Sequence, residues 1–240
     1  MERRHDIIPR DLLFYASEEH PCSYLPGEDT VTLFADPEAR ITPQLYSALS
    51  DMGFRRSGEY VYAPRCPRCH ACLPVRLPVE DFRPDRSQRR NWRQNQDLVV
   101  QILPARFDEE TFALYQRYIQ SRHPEGSMAT PDHEQAGRFF TSSWSDTRFV
   151  TFSLQQKTVA VAVIDVLERG LSAVYTFFEP EEHKRGLGIF AVLWLIEETR
   201  RRSLPYLYLG YLIHESPKMA YKAQYHPLEA YRDGEWHRLD

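Results

Sequence analysis

LSAVYTFFEPEEHKRGLGIFAVLWLIEETRRRSLPYLYLGY, residues 171–211, holds a strand, a glycine turn, an apolar helix and a second strand in one run. Leu171–Phe178 is rich in aromatic and β-branched residues, and Glu179-Pro180 breaks it. An apolar helix is expected over Ile189–Arg200, ending in Arg200, Arg201 and Arg202. Pro205–Tyr211 then reads as a strand with Tyr206 and Tyr208 on one face and Tyr211 on the other. Upstream, Arg148–Leu154 and Thr158–Val166 are two further strands, and the turns Gln155-Gln156-Lys157 and Glu168-Arg169-Gly170 make an antiparallel meander that leads into Leu171. Meander, helix and strand in that order predict an α+β fold with a mostly antiparallel sheet.

Nearer the start, residues 1–30 read as irregular, and Val31–Phe34 makes a short strand. Thr42-Pro43 opens a helix as cap plus proline, Leu45, Tyr46, Leu49 and Met52 recur at helical spacing, and Gly53 closes it. Phe54–Pro64 forms a hairpin about Ser57-Gly58. Leu73–Val79 alternates, and its two prolines, Pro74 and Pro78, predict an edge strand or extended segment with Arg76 projecting alone from the polar face. A helix from Arg86 gathers Arg86, Arg89, Arg90 and Arg93 on one side. Leu98–Leu103 is strand-like, Glu109–Ser121 is helical, Pro131 opens a helix through Phe140, and a short helix spans Pro217–Tyr225. No cysteine follows Cys72 and the composition changes at Pro104, so two domains are expected. These are a cysteine-bearing domain over 1–104 and a second domain over 105–240.

The 240 residues carry a net charge of −4, so contact with nucleic acid must come from a local patch, and Arg83–Arg93 is the best one. The first residues lack the apolar stretch of a signal peptide, and the apolar run Ile189–Ile196 is too short to cross a bilayer. A cytoplasmic protein without membrane association is expected. Cys66, Cys69 and Cys72 lie at consecutive C-x-x-C spacings. With Cys22, or with His70 or His20, as a fourth ligand they could hold zinc or an iron–sulfur cluster; the plainer alternative is reduced thiols at a turn.

The loop His183-Lys184-Arg185-Gly186-Leu187-Gly188 lies between strand and helix, where backbone N–H groups can cradle a phosphate. GNAT-fold acyltransferases place a Gln/Arg-x-x-Gly-x-Gly/Ala loop there; this chain keeps the glycines and has His183 first. Glycines serving only a tight turn are the alternative. Further on, Lys218, Lys222 and Tyr225 share a stripe if their segment is helical, which suits an anionic substrate.

The strings CSYLPGE, GFRRSGEYVYAPRCPRCHACLPVRLPVEDFRPDRSQRR, YTFFEPEEHKRGLGIFAVLW and LPYLYLGYLIHESPKMAYKAQYHPLE resemble, in order and over nearly the whole chain, the bacterial leucyl-tRNA–protein transferase family, relatives of eukaryotic arginyl-tRNA–protein transferases. Ser127 and His183 depart from the family pattern. The resemblance implies an enzyme that moves leucine from Leu-tRNA to the α-amine of proteins beginning with Asp or Glu, creating an N-degron. It also implies a cysteine-bearing part followed by a GNAT-like part, with an iron–sulfur cluster at the cysteines of eukaryotic relatives.

An aminoacyl ester is already activated, so the enzyme's task is to position amine and ester and to stabilise an oxyanion. Oxyanion donors are expected near Tyr208, Gly210 and Ser216, and Glu179 is the candidate to receive the incoming ammonium or its proton. Arg76 and Lys222, then Tyr62 and Lys218, are candidates for the acceptor's carboxylate. Arg86, Arg89, Arg90, Arg93, Arg185 and Arg200–Arg202, with Gly186 and Gly188, are candidates for tRNA phosphates. Two other functions use parts of the same pattern: an acetyl-CoA-dependent N-acetyltransferase, and a metal-stabilised RNA-binding adaptor. No cofactor is required for the transferase reading.

Overall fold

The computed structural model describes residues 7–122 and 132–239. Gly126, Ser127 and the helix start expected at Pro131 lie outside them. The chain begins with β1 (Phe14–Ala16), β2 (His20–Pro21) and β3 (Asp29–Thr30), short pairings where the sequence reads as irregular because two or three residues carry no alternation. There follow β4 (Thr32–Ala35), α1 (Pro43–Asp51), β5 (Arg55–Ser57) and β6 (Tyr60–Pro64). Thr42 caps α1 as expected, its Oγ1 accepting from the Leu45 N–H at 3.2 Å, and Leu45, Tyr46 and Leu49 are buried. β1, β4, β6 and β5 pair in that order as a small sheet.

Next come β7 (Leu73–Pro78), α2 (Arg86–Gln94), β8 (Val99–Pro104), α3 (Glu109–Arg122), α4 (His133–Phe140), β9 (Thr147–Leu154), β10 (Lys157–Leu167) and β11 (Gly170–Phe178). A 3-10 turn over Pro180–Arg185 leads into α5 (Leu187–Arg201) and β12 (Tyr206–Leu212). A second 3-10 turn, Ala220–Gln224, replaces the helix expected over Pro217–Tyr225, and β13 (Leu228–Arg232) and β14 (Glu235–Leu239) close the chain as a hairpin.

The larger sheet has eight strands in the order β14-β13-β7-β12-β11-β10-β9-β8. Its meander is antiparallel, and the crossover through α5 makes β11 and β12 a parallel pair. This is the α+β, mostly antiparallel arrangement that the sequence order predicts. The alternation of β10 feeds two cores: Ala160, Ala162 and Ile164 pack with Phe190 and Ile196 of α5, while Val161 and Val163 pack with Leu114, Tyr115 and Phe140 of α3 and α4. A third core joins α1 and the small sheet to Leu167 and Tyr208.

The sheet corrects three readings. β7 is internal, between β13 and β12, where prolines suggested an edge. Its ladder with β13 registers only Arg76 and Val75, so Pro74 and Pro78 fall outside that pairing and their missing N–H groups cost it nothing. The polar face carrying Arg76 is covered by α1 and Trp236 instead of water, and Arg76 is 4% exposed. Finally, β7, α2 and β8 all precede Pro104 yet belong to the same sheet unit as the later strands, so the sheet does not divide there.

A buried cluster fixes the small sheet to the large one. Arg56 of β5 donates from Nε to Asp165 Oδ2 at 2.7 Å and from Nη2 to Oδ1 at 2.8 Å, and both side chains are fully buried. Asp165 also accepts from Tyr46 Oη and Thr147 Oγ1 at 2.9 and 2.7 Å, while Arg56 Nη2 reaches the Phe140 carbonyl at 2.9 Å. Removing one partner leaves a buried charge uncompensated. Arg56→Ala should therefore lower the unfolding free energy by about 3–5 kcal/mol, measured as a lower denaturant midpoint at constant slope. The double change to Met at Arg56 and Leu at Asp165 should cost less than the single one.

Candidate active site

The parallel ladder of β11 and β12 is short. It registers Gly170 with Tyr206, Leu171 with Leu207 and Ser172 with Tyr208, and then stops, although both strands continue. Each strand bulges just beyond that point, at Val174 against β10 and at Leu209 against β7. A bulge adds a residue and bends the strand, so the two diverge into a fork. The Leu209 bulge also reverses the alternation, placing Tyr211 on the face of Tyr208 where the sequence had it opposite. Tyr211 Oη accordingly donates toward the Gly53 and Tyr62 carbonyls, at 3.0 and 3.3 Å.

Arg55 enters the fork from β5. Its Nη1 donates to Ser172 Oγ at 3.0 Å and its Nη2 to the Ala173 carbonyl at 2.6 Å, just past the last registered pair. On the β12 side the guanidinium lies against Gly210, whose φ is +77°; a Cβ there would stand 3.1 Å from Arg55 Cζ. Only glycine suits both that backbone and that approach. One residue on, Lys222 Nζ donates to the Tyr211 carbonyl at 2.5 Å and to Met219 Sδ at 3.2 Å. Lys222 is 5% exposed. Burial, and then the Arg55 cation, push its amine down to about 7, with Cys72 opposing. Tyr62 packs on Tyr211 with ring centroids 6.3 Å apart, and Tyr24 lies within electrostatic reach of Arg55, Tyr62 and Cys72.

Of the expected acceptor residues, Lys222 and Tyr62 thus reach the fork. Arg76 does not present a free edge: Nη1 donates to Asp51 at 2.8 Å, Nε to Glu229 at 2.7 Å, and the guanidinium lies between the Tyr206 and Trp236 rings at 3.6 and 4.2 Å. Lys218 is exposed while Lys222 is buried, because the 3-10 turn begins only at Ala220 and the shared helical stripe does not form. Tyr208 donates to Asp51 Oδ1 at 2.6 Å within the same internal network, and burial holds its hydroxyl far above the usual phenol range. Ser216 is buried in the turn after β12, its carbonyl accepting from Met219 and Ala220. Glu179 is 3% exposed and taken by a bidentate ion pair with Arg117, with Lys157 at 3.4 Å. Burial raises its carboxyl, but these cations outweigh that and hold it below the usual range, so it is a poor proton acceptor.

All four cysteines are free. Cys22 Sγ accepts from the Tyr24 N–H at 3.5 Å, and Cys66 Sγ lies 3.4 Å from Thr30 Oγ1. Burial, and then Cys66, Cys22 and Cys69, push the Cys72 thiol up to about 12. Among the described residues, however, no three His, Cys, Asp or Glu side chains are grouped to hold a metal ion. His20 contacts the Glu18 carbonyl at 3.1 Å and His70 is exposed. As placed, these residues do not fit zinc or a cluster.

The glycine loop is occupied by α2. Asn91 Nδ2 donates to the Arg185 and Gly186 carbonyls at 2.8 and 3.1 Å, and Asn95 Nδ2 to Arg185 at 2.9 Å. Gly186 is left-handed at φ +63°, and a Cβ would come 2.6 Å from Asn91 Nδ2. Arg185 is engaged by Asp97 and Glu182, while Arg200–Arg202 pair with Glu197, Glu198 and backbone carbonyls. Arg86, Arg89, Arg90 and Arg93, by contrast, are exposed; Arg89 donates to the Pro84 carbonyl and Arg93 to the Arg89 carbonyl.

Family models described as "Arginine-tRNA-protein transferase", N terminus and C terminus, match residues 20–90 and 110–232. The chain belongs to this family. A protein named aspartate/glutamate leucyltransferase from Marinobacter nauticus is 50% identical over 96% of this chain and 97% of its own length. One of the same name from Alcanivorax borkumensis is 51% identical over 94% and 93%. Among solved structures, L-PGS from Bacillus licheniformis is 11% identical over 70% of this chain and 49% of that chain, with a TM-score of 0.45.

In this member of the arginine-tRNA-protein transferase family, sequence reasoning missed Arg55. The signal was the doublet Arg55-Arg56 on a hairpin arm, where strand alternation sends one side chain to a core and its neighbour to the other face. The buried Lys222 gives a pH test. Its pKa falls from 10.5 to about 7, so between those values the folded protein binds fewer protons than the unfolded chain, and this contribution to stability rises with pH. Lys222→Met removes that rise. Relative to wild type, the variant should be at its most stable below pH about 7, and should lose that advantage as the pH climbs in denaturant melts.

Proposed function

We propose that the chain transfers leucine from Leu-tRNA to the α-amine of proteins beginning with Asp or Glu, and that the product acts as an N-degron in the cytoplasm. The observation that carries this reading is the nearly end-to-end match, about half identical, to proteins named for that activity. The amine nitrogen attacks the ester carbonyl and the C–N bond forms. The C–O bond to the tRNA ribose then breaks, and the departing oxygen takes up the proton. An N-terminal amine has a pKa near about 8, so a usable fraction is neutral at pH 7. What remains for the protein is orientation and water exclusion, which the fork and its tyrosines are shaped to supply.

The tRNA is expected on the exposed arginines of α2, beside the loop that α2 clamps. The acetyl-CoA alternative is disfavoured by that clamp, since Asn91 already stands against Gly186 in the loop that a coenzyme phosphate would need. Supplying labelled Leu-tRNA, Arg-tRNA and acetyl-CoA with peptides starting in Asp, Glu, Arg and Lys decides the reading. Transfer of leucine to Asp and Glu peptides alone is expected, and acetyl transfer or an arginine preference overturns it. For the tRNA surface, Arg90→Ala with Arg93→Ala should reduce the slope of log affinity against log salt by about 0.7–0.9 per charge removed.

A further inference from the structure

Arg55 and Lys222 meet at consecutive residues of β12, one packed on Gly210 and the other bonded to the Tyr211 carbonyl. Their bonds run to a hydroxyl, two carbonyls and a thioether, and among the described residues no carboxylate pairs with either. Every other arginine that sits deep in this fold is matched: Arg56 by Asp165, and Arg76 by Asp51 and Glu229. A guanidinium held beside a buried amine with no anion between them is costly unless an anion arrives. Arg55 has five N–H groups and uses two of them. The ones that remain can take a carboxylate in the fork-to-fork manner that a guanidinium favours.

We propose that Arg55, with Lys222 beside it, is the specificity-determining receptor for the acceptor's side-chain carboxylate. The acidic side chain of the first residue would enter the β11–β12 fork and supply the anion missing there. Its α-amine would then be held at the mouth, among Tyr24, Tyr62 and Tyr211, at a distance fixed by one side-chain length. Arg55 thus takes the part expected of Arg76, and Lys222 keeps the part expected of it. It rests on the leucyltransferase reading and adds to it the group that selects the acceptor.

The test compares kcat/KM for leucine transfer to matched peptides starting in Asp and in Asn, whose side chains share a shape and differ in charge. Wild type should favour Asp strongly. Arg55→Gln should lower the Asp value about 10- to 100-fold more than the Asn value, as expected for a lost charged hydrogen bond. Arg55→Lys should recover part of the preference, and this second variant keeps the comparison open if Arg55→Gln does not fold. A role limited to bracing the two strands would lower both peptides equally, and an unchanged Asp-to-Asn ratio in folded variants overturns the proposal while leaving leucine transfer intact. Absence of transfer by wild type overturns the leucyltransferase reading and this inference together.

Discussion

The ion pair between Arg56 and Asp165 sets how the small sheet meets the large one. Two fully buried charges, bonded twice to each other and tied to Tyr46 and Thr147, fix the orientation of β5 against β10. A less satisfied pair would destabilise the interior, because desolvation of each ion costs several kcal/mol (about) before any attraction is regained. Fixing β5 also fixes its next residue. With Arg56 anchored on one face, Arg55 must leave from the other, and the fork between β11 and β12 is what it meets. A contact within the core thus aims a cation into the cleft.

The second network acts alongside it. Asp51 at the end of α1 receives Arg76, Arg169 and the Tyr208 hydroxyl, and its carbonyl accepts from the Trp236 indole at 2.8 Å. Groups from α1, β7, β12 and β14 therefore converge on one residue. That convergence is why several side chains that look chemically active in the sequence are engaged inside the protein. The arginines along α2 and the Arg55–Lys222 pair in the fork lie outside that network.

Much of the fold was legible because its elements are long and periodic. The meander, α5 and α1 follow from alternation, apolar spacing and the Thr42-Pro43 cap. The hairpin β13–β14 went unread although Asp233-Gly234 carries the positive φ values, 51° and 86°, of a two-residue turn. The placement of β7 was not legible, since prolines report on local hydrogen bonding and say nothing of a strand arriving from far along the chain. The site divides in the same way. Lys222 could be picked out by type, whereas Arg55 depends on a bulge at Leu209 and a fork, and neither leaves a local mark. Glu179 failed as a proton acceptor because its partner Arg117 comes from a helix that its own strand does not announce.

The central position of β7 sets a constraint on how the molecule is made. Its partners are Tyr206–Leu212 on one side and Glu229–Ala230 on the other, so a strand synthesised early must wait for segments synthesised late. Until they emerge from the ribosome, β7 has no neighbour in the sheet and β11 has an open edge, the kind of exposed edge that invites wrong pairing. Such non-local pairing slows folding. The joining of β7 to the sheet and formation of the fork become a single late event, since the arrival of β12 supplies a neighbour to β7 and the second wall to the cleft at once.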